Sequence, residues 1–207
     1  MSDIILVLAM SAMTVEILSY TVYARDILSR RARPSRASWL VWAPLCWLTV
    51  ASNWQAGADL TLIKLVAMCF GVTLVAILAI RFGTGGCSWL DRLCMGLTLL
   101  GVLAWIETHD PTTALLLFIL ADLSAAMPTI DDAARQPDKD SRAAWSLGLL
   151  ASALNLLVVE PQHWTLSWSG FGIWGFNVYL FLLNGLVAGL MLRPLLRPIF
   201  AAHEPVS

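Results

Sequence analysis

Ser35-Arg36-Ala37-Ser38-Trp39 and Ser141-Arg142-Ala143-Ala144-Trp145 are two near-copies of one pentapeptide, set 106 residues apart in a chain of 207. Both sit in equivalent hydrophobic surroundings. Without a gap, the same offset pairs Glu16 with Asp122 and Asp26 with Asp132. It also lays Phe70-Gly71-Val72-Thr73-Leu74 over Phe176-Asn177-Val178-Tyr179-Leu180. One offset serving separated stretches marks an internal duplication, and in a membrane protein a duplication points to a two-fold arrangement around a shared central site.

Composition points to a membrane. The chain is 58% hydrophobic and 13% charged, with a mean hydropathy of +0.74; soluble domains run at roughly 45–50% apolar and about 25% charged. A membrane-crossing helix takes about 20 mostly apolar residues, so this length suits several spans and no large soluble domain. The net charge is −1 and the bases do not gather into a nucleic-acid face, which speaks against nucleic acid as a partner. Cys46, Cys69, Cys87 and Cys94 lack metal-type spacing and read as small packing residues. Residues 4–24 carry no basic leader and no small-residue cleavage site, so they read as a first span rather than a removed signal.

Apolar runs bounded by charges predict seven spans, near 4–24, 37–54, 60–80, 90–106, 112–130, 143–160 and 168–192. Arg25, Arg30, Arg31, Arg33 and Arg36 fill the first loop, and Arg81 and Arg92 the third. Arg135, Lys139 and Arg142 occupy the fifth, and Arg193 and Arg197 the tail. The N-terminus and the loops near 55–59, 107–111 and 161–167 have no Lys or Arg. The positive-inside rule then places the N-terminus outside and the C-terminus in the cytoplasm of an inner, plasma-type membrane. Trp39, Trp89 and Trp145 mark one boundary, and Trp54, Trp105, Trp164 and Trp168 the other. Trp42, Trp47 and Trp174 fall at depth, where each indole N–H needs a partner.

Seven spans with this repeat divide as three, one and three. Residues 1–81 form a first three-helix repeat, 82–108 a linker helix, 109–192 a second repeat, and 193–207 a cytoplasmic tail. An odd number of spans per repeat makes the connector cross back, so the two repeats run parallel. Gly85-Gly86 suits a flexible entry to the connector. The expected fold is thus an all-α membrane bundle of two parallel three-helix repeats.

This plan, with a repeat centred on the end of one helix and the start of the next, resembles the SWEET/PQ-loop transporter superfamily over nearly the whole chain. That family carries Pro-Gln near the cytoplasmic end of each repeat's first helix. Pro128-Thr129 stands there in the second repeat and Val22-Tyr23 in the first, while the literal Pro161-Gln162 falls in an outer loop. The resemblance implies a carrier of sugars, amino acids or vitamins, or a receptor, and leaves the branch open. A microbial-rhodopsin plan would need a lysine in the seventh helix; the lysines here are Lys64 and Lys139, so retinal is not expected.

Glu16 and Asp122 lie near the middle of the first and fifth spans. A carboxylate there costs roughly 2.5–3.5 kcal/mol on insertion scales and faces a cavity or a partner. At repeat-related positions the two would face each other across the pseudo-axis, for proton coupling or charge recognition. The alternative is that each is bonded locally, to a hydroxyl such as Ser19, Ser124 or Thr14, and ties helices together. Trp174, Asn177, Phe181 and Asn184 share one face of the seventh span by their steps of three and four. With Asn155 and Trp42 they are the expected substrate-binding residues, an aromatic wall beside hydrogen-bonding heads. The resemblance matches Asn177 to an asparagine that such transporters place in this helix, whereas Gly71 stands at its counterpart in the third span. Plain interhelical bonding is the other reading of these asparagines.

Pro44 and Pro128 sit inside spans, where each removes a backbone bond and can act as a hinge. Lys64 is expected to snorkel toward Asp59. Gly185-x-x-x-Gly189 permits close helix approach, within the fold or between subunits of a homo-oligomer. His109 and His163 read as solvated loop residues, with no metal. Neither a nucleophile–base set nor a Gly-rich phosphate loop occurs, so no enzyme activity and no cofactor are expected. The expected function is a small-solute transporter working by alternating access on a polar or cationic solute in the lipid bilayer. The alternatives are a non-transporting receptor or sensor, or a structural membrane subunit.

Overall fold

A computed structural model of the chain describes residues 2–85 and 89–201. Among the described residues there are seven α-helices, one 3-10 turn and no strand. The helices are α1 (Ser2–Leu28), α2 (Arg36–Gln55), α3 (Thr61–Phe82), α4 (Trp89–Thr108), α5 (Pro111–Arg135), α6 (Arg142–Val158) and α7 (Trp168–Ala201). Pro161–His163, with the Pro-Gln pair, is the 3-10 turn between α6 and α7. Four of the described helices, α1, α3, α5 and α7, are long and apolar enough to cross a membrane. Gly86 and Cys87 lie outside the described residues, as do 202–207 of the expected tail.

Local chemistry sets the ends. The two pentapeptides open α2 and α6, with Ser35 and Ser141 at the N-cap positions. The Ser141 hydroxyl accepts from the Ala144 N–H at 3.3 Å, occupying one of the donors that a helix start leaves free. Asp110 does the same for α5, accepting from the N–H groups of Thr112 and Thr113, with Pro111 at the first turn where its missing N–H costs nothing. At the far end of α3, the Arg36 guanidinium donates to the carbonyls of Ala79, Gly83 and Gly85. A cation over spent helix carbonyls is favoured there by hydrogen bonding and by the helix dipole together. Gly85 has φ of +84°, a left-handed conformation open to glycine.

The helix expected to stop near residue 192 continues to Ala201. Its extension is tied to α5 by Arg193, which donates to the Ala134 carbonyl at 3.1 Å. The first part of the expected tail, 193–201, is therefore helical.

Packing follows the helical period. On α1 the buried positions Ala9, Ala12, Glu16, Ser19, Tyr23 and Ile27 recur every three or four residues, so Glu16 lies in the inward stripe. On α5 the stripe is Leu115, Phe118, Ala125, Ala126, Thr129 and Ala133, and Asp122 falls in its gap. Outward positions are apolar instead, with Phe70, Ile77 and Ile80 of α3 and Leu157 of α6 all exposed. An apolar exterior around a polar-dotted interior is what a lipid solvent selects. α1 packs against α3 and α6, and α5 against α7 and α2; α2 also lies on α3, α6 on α7, and α4 on α5. Gly71 permits one close approach: a Cβ there would stand 2.1 Å from Cδ2 of Tyr20.

Candidate functional site

Glu16 and Asp122 line one cavity in the interior of the bundle, of about 80 Å³. A single water needs only about 10–15 Å³ on such a measure, so several waters or one small solute fit. Trp42 of α2 and Asn184 of α7 also line it.

The two acids are satisfied differently. Glu16 is buried, and its Oε2 stands 3.6 Å from Nζ of Lys64, which is fully buried on α3. Lys64 does not reach out to Asp59 as expected. Its stripe on α3 continues through Leu65, Met68 and Val72 into the core, and the partner that compensates its charge is inside. Its Nζ also lies 3.5 Å from Oγ of Ser152 on α6. Asp59 accepts instead from the Leu60 N–H. Asp122 accepts from the Tyr179 hydroxyl of α7, and no base among the described residues pairs with it. Above it, the Trp42 indole N–H donates to the Asp122 backbone carbonyl at 3.3 Å.

Three expected binding residues lie outside the cavity lining. Trp174 belongs to an aromatic group near the start of α7. It is stacked on Trp164 and edge-on to Phe171, and its N–H goes to the Thr165 carbonyl. Asn177 and Asn155 are buried and bond to each other: Asn155 Nδ2 donates to Asn177 Oδ1 at 2.7 Å, and Asn177 Nδ2 donates to the Ile173 carbonyl. The first of these bonds joins α6 to α7 and the second stays within α7, while Asn155 Oδ1 is buried without a hydrogen-bond partner. Pro44 and Pro128 lie inside α2 and α5, which continue through them. The indole of Trp47, at depth on α2, donates to Thr73, and the buried thiols of Cys46 and Cys69 meet between α2 and α3.

Among the other lining residues, four aromatic ones were not singled out for binding from the sequence: Tyr20 and Tyr23 of α1, Trp39 of α2 and Trp145 of α6. A signal existed, since Tyr20 is one turn from Glu16, and Trp39 one turn from Trp42, on the same helix faces. Below the cavity, Tyr23 donates to Asp140 at 2.8 Å, and the Ser141 N–H and Trp145 indole donate to it as well. Burial pushes the Asp140 carboxyl above its ordinary value of 3.8, against the pull of those three hydrogen bonds. The Ser141 hydroxyl meanwhile donates to Asp26 at 2.5 Å. The end of α1 and the 136–141 connection are thus joined by two acids.

Among the described residues no group of three or more His, Cys, Asp or Glu side chains gathers as a metal would require. Comparison with family models, with characterised proteins and with solved structures finds no match.

Proposed function

We propose that the chain is a small-solute transporter of the inner membrane, working by alternating access, with Glu16 and Asp122 supplying proton coupling or charge recognition. The observation that carries this reading is the cavity itself: acids from α1 and α5, 106 residues apart in sequence, line one interior space. Buried carboxyls beside a cavity are the usual markers of a solute or proton path. The helix contacts support the parallel-repeat, SWEET-like plan, with 1–81 and 109–192 as its halves. Exchanging α1 with α5, α2 with α6 and α3 with α7 carries the main contacts onto one another. The exposed Arg25, Arg30, Arg31 and Arg33 support a cytoplasmic first loop. In this reading all seven helices cross, α4 is the connector, and Pro44 and Pro128 are hinges. Trp42 and Asn184 touch the solute.

Uptake by proteoliposomes, with and without a pH gradient, tests it. Glu16→Gln and Asp122→Asn are each expected to reduce uptake about tenfold or more; full activity in both variants ends the proposal. One observation favours a second reading, a receptor or structural subunit: each acid already has a partner from its own set of three helices. That reading expects no uptake of any solute by a well-folded protein.

A further inference from the structure

The cavity is walled by aromatic rings from four helices: Tyr20 and Tyr23, Trp39 and Trp42, Trp145, and Phe176. Their arrangement is specific. Trp39 stands at 87° to both Tyr20 and Trp42, with ring centroids 6.3 and 5.1 Å away. Tyr23 is tilted at 56° to the same ring, 5.2 Å away, so a guest in the cavity lies near several rings at once. Aromatic faces carry negative quadrupole density, and several around one point favour a cation.

Charge and hydrogen bonding point the same way. No Lys, Arg or His is among the lining residues, whereas Glu16 and Asp122 both are. Lys64 offsets Glu16 from behind; Asp122 has only the neutral Tyr179 hydroxyl. The cavity thus holds one uncompensated acid. Its small donors are already used. Ser19 donates to the Ala144 carbonyl and Thr49 to that of Leu45. Asn184 Nδ2 donates to Ser152 and to the Leu180 carbonyl, leaving its amide oxygen as acceptor. The Trp39 indole N–H is a buried donor beside the Tyr23 hydroxyl, with no hydrogen bond of good geometry to it. Inorganic cations are held by cages of oxygen ligands, and rings do not provide one.

We infer that this cavity binds a monovalent organic cation, an ammonium head on a small body with a polar end. Asp122 is its counter-charge and Trp39, Trp42 and Tyr20 its enclosure, with the Trp39 N–H left for the polar end. The inference deepens the transport reading by naming the solute class, but binding stands or falls apart from movement.

Calorimetry on the purified full chain, with choline as the probe, tests it. Choline is expected to bind, while its uncharged isostere (carbon in place of nitrogen) and sodium bind at least about tenfold more weakly. Asp122→Asn and Trp42→Leu are each expected to weaken choline binding at least about tenfold. Equal binding of the isostere, or no binding of choline, overturns the inference without any variant having to fold. Unchanged affinity in a folded Asp122→Asn protein overturns it too. Choline that binds but does not enter proteoliposomes overturns the transport reading alone. Uptake of an uncharged solute by a protein that ignores choline overturns the cation site alone.

Discussion

Glu16 and Asp122 occupy equivalent places in sequence and share one cavity, yet one is held by a cation and the other by a hydroxyl. The residues that make the difference are themselves at unmatched positions. Lys64 has Gly170 as its counterpart, and Tyr179 has Thr73. The offset of 106 residues thus matches the two acids but not their partners. A buried charge facing a full countercharge forms a fixed internal pair; a carboxyl facing a neutral donor remains available to a guest. Any use of the first acid therefore involves Lys64 as well, whereas the second faces the cavity without a base among the described residues.

Removing the cation breaks this contrast hardest. Lys64→Met leaves Glu16 buried beside no base, and the loss of one partner of a buried pair costs about 3–5 kcal/mol. Denaturant unfolding in micelles measures it, and adding Glu16→Gln to that variant should recover most of the loss. Tyr179→Phe removes one hydrogen bond to a carboxyl, so about 1.5–3 kcal/mol is expected in the same assay. A loss equal to that of Lys64→Met would erase the distinction between the two acids.

The paired arginines extend the comparison. Arg36 covers the end of α3, but the helix that Arg142 would cover by analogy, α7, does not end at the corresponding point. Arg142 instead meets the exposed Asp138 four residues earlier, and its Nε is buried without a partner. Arg36→Ala should cost about 1–2 kcal/mol, and Arg142→Ala less, about 0.5 kcal/mol, because its partner Asp138 stands in solvent. Thermal unfolding of the two variants side by side decides it; equal losses would show that the capping geometry is immaterial.

The smallest effect concerns Asp140. Because burial raises its carboxyl in the folded chain, the folded state holds that proton more tightly than the unfolded one. Its stabilising share is complete below the ordinary aspartate range and is lost as pH rises through the raised value. Asp140→Asn should flatten this acid-side gain in a series of melting temperatures taken from acid to neutral pH. A parallel pH profile in wild type and variant would assign the dependence elsewhere.

Much of this was legible in the chain because lipid leaves few choices. The apolar runs, their charged boundaries and the offset of 106 residues anticipate the seven helices among the described residues, each within a few residues except at the end of α7. The acids that line the cavity were legible as well, since each lies near the middle of an apolar span. The partners were not. Periodicity says which face a side chain takes, and not which neighbour meets it. Lys64 therefore looked able to reach Asp59, and Asn177 to reach a solute, when the structure gives them Glu16 and Asn155. Gly71 read as a missing asparagine; it is the space that the Tyr20 ring fills. Trp174 lies on a different face of α7 from the lining residues Phe176, Leu180 and Leu183, near the end of its helix, where Trp164 collects it.

α6 has 17 residues, which at 1.5 Å per residue gives about 26 Å, short of the roughly 30 Å of an average hydrocarbon layer. Its exposed Leu150 and Leu157 nonetheless face outward. In the seven-span reading proposed above, acyl chains beside this helix shorten or tilt, and the sheet of lipid is pinched on one flank of the molecule. The protein should sort toward thin bilayers, and it should melt at a higher temperature in vesicles of short-chain lipid than in long-chain ones.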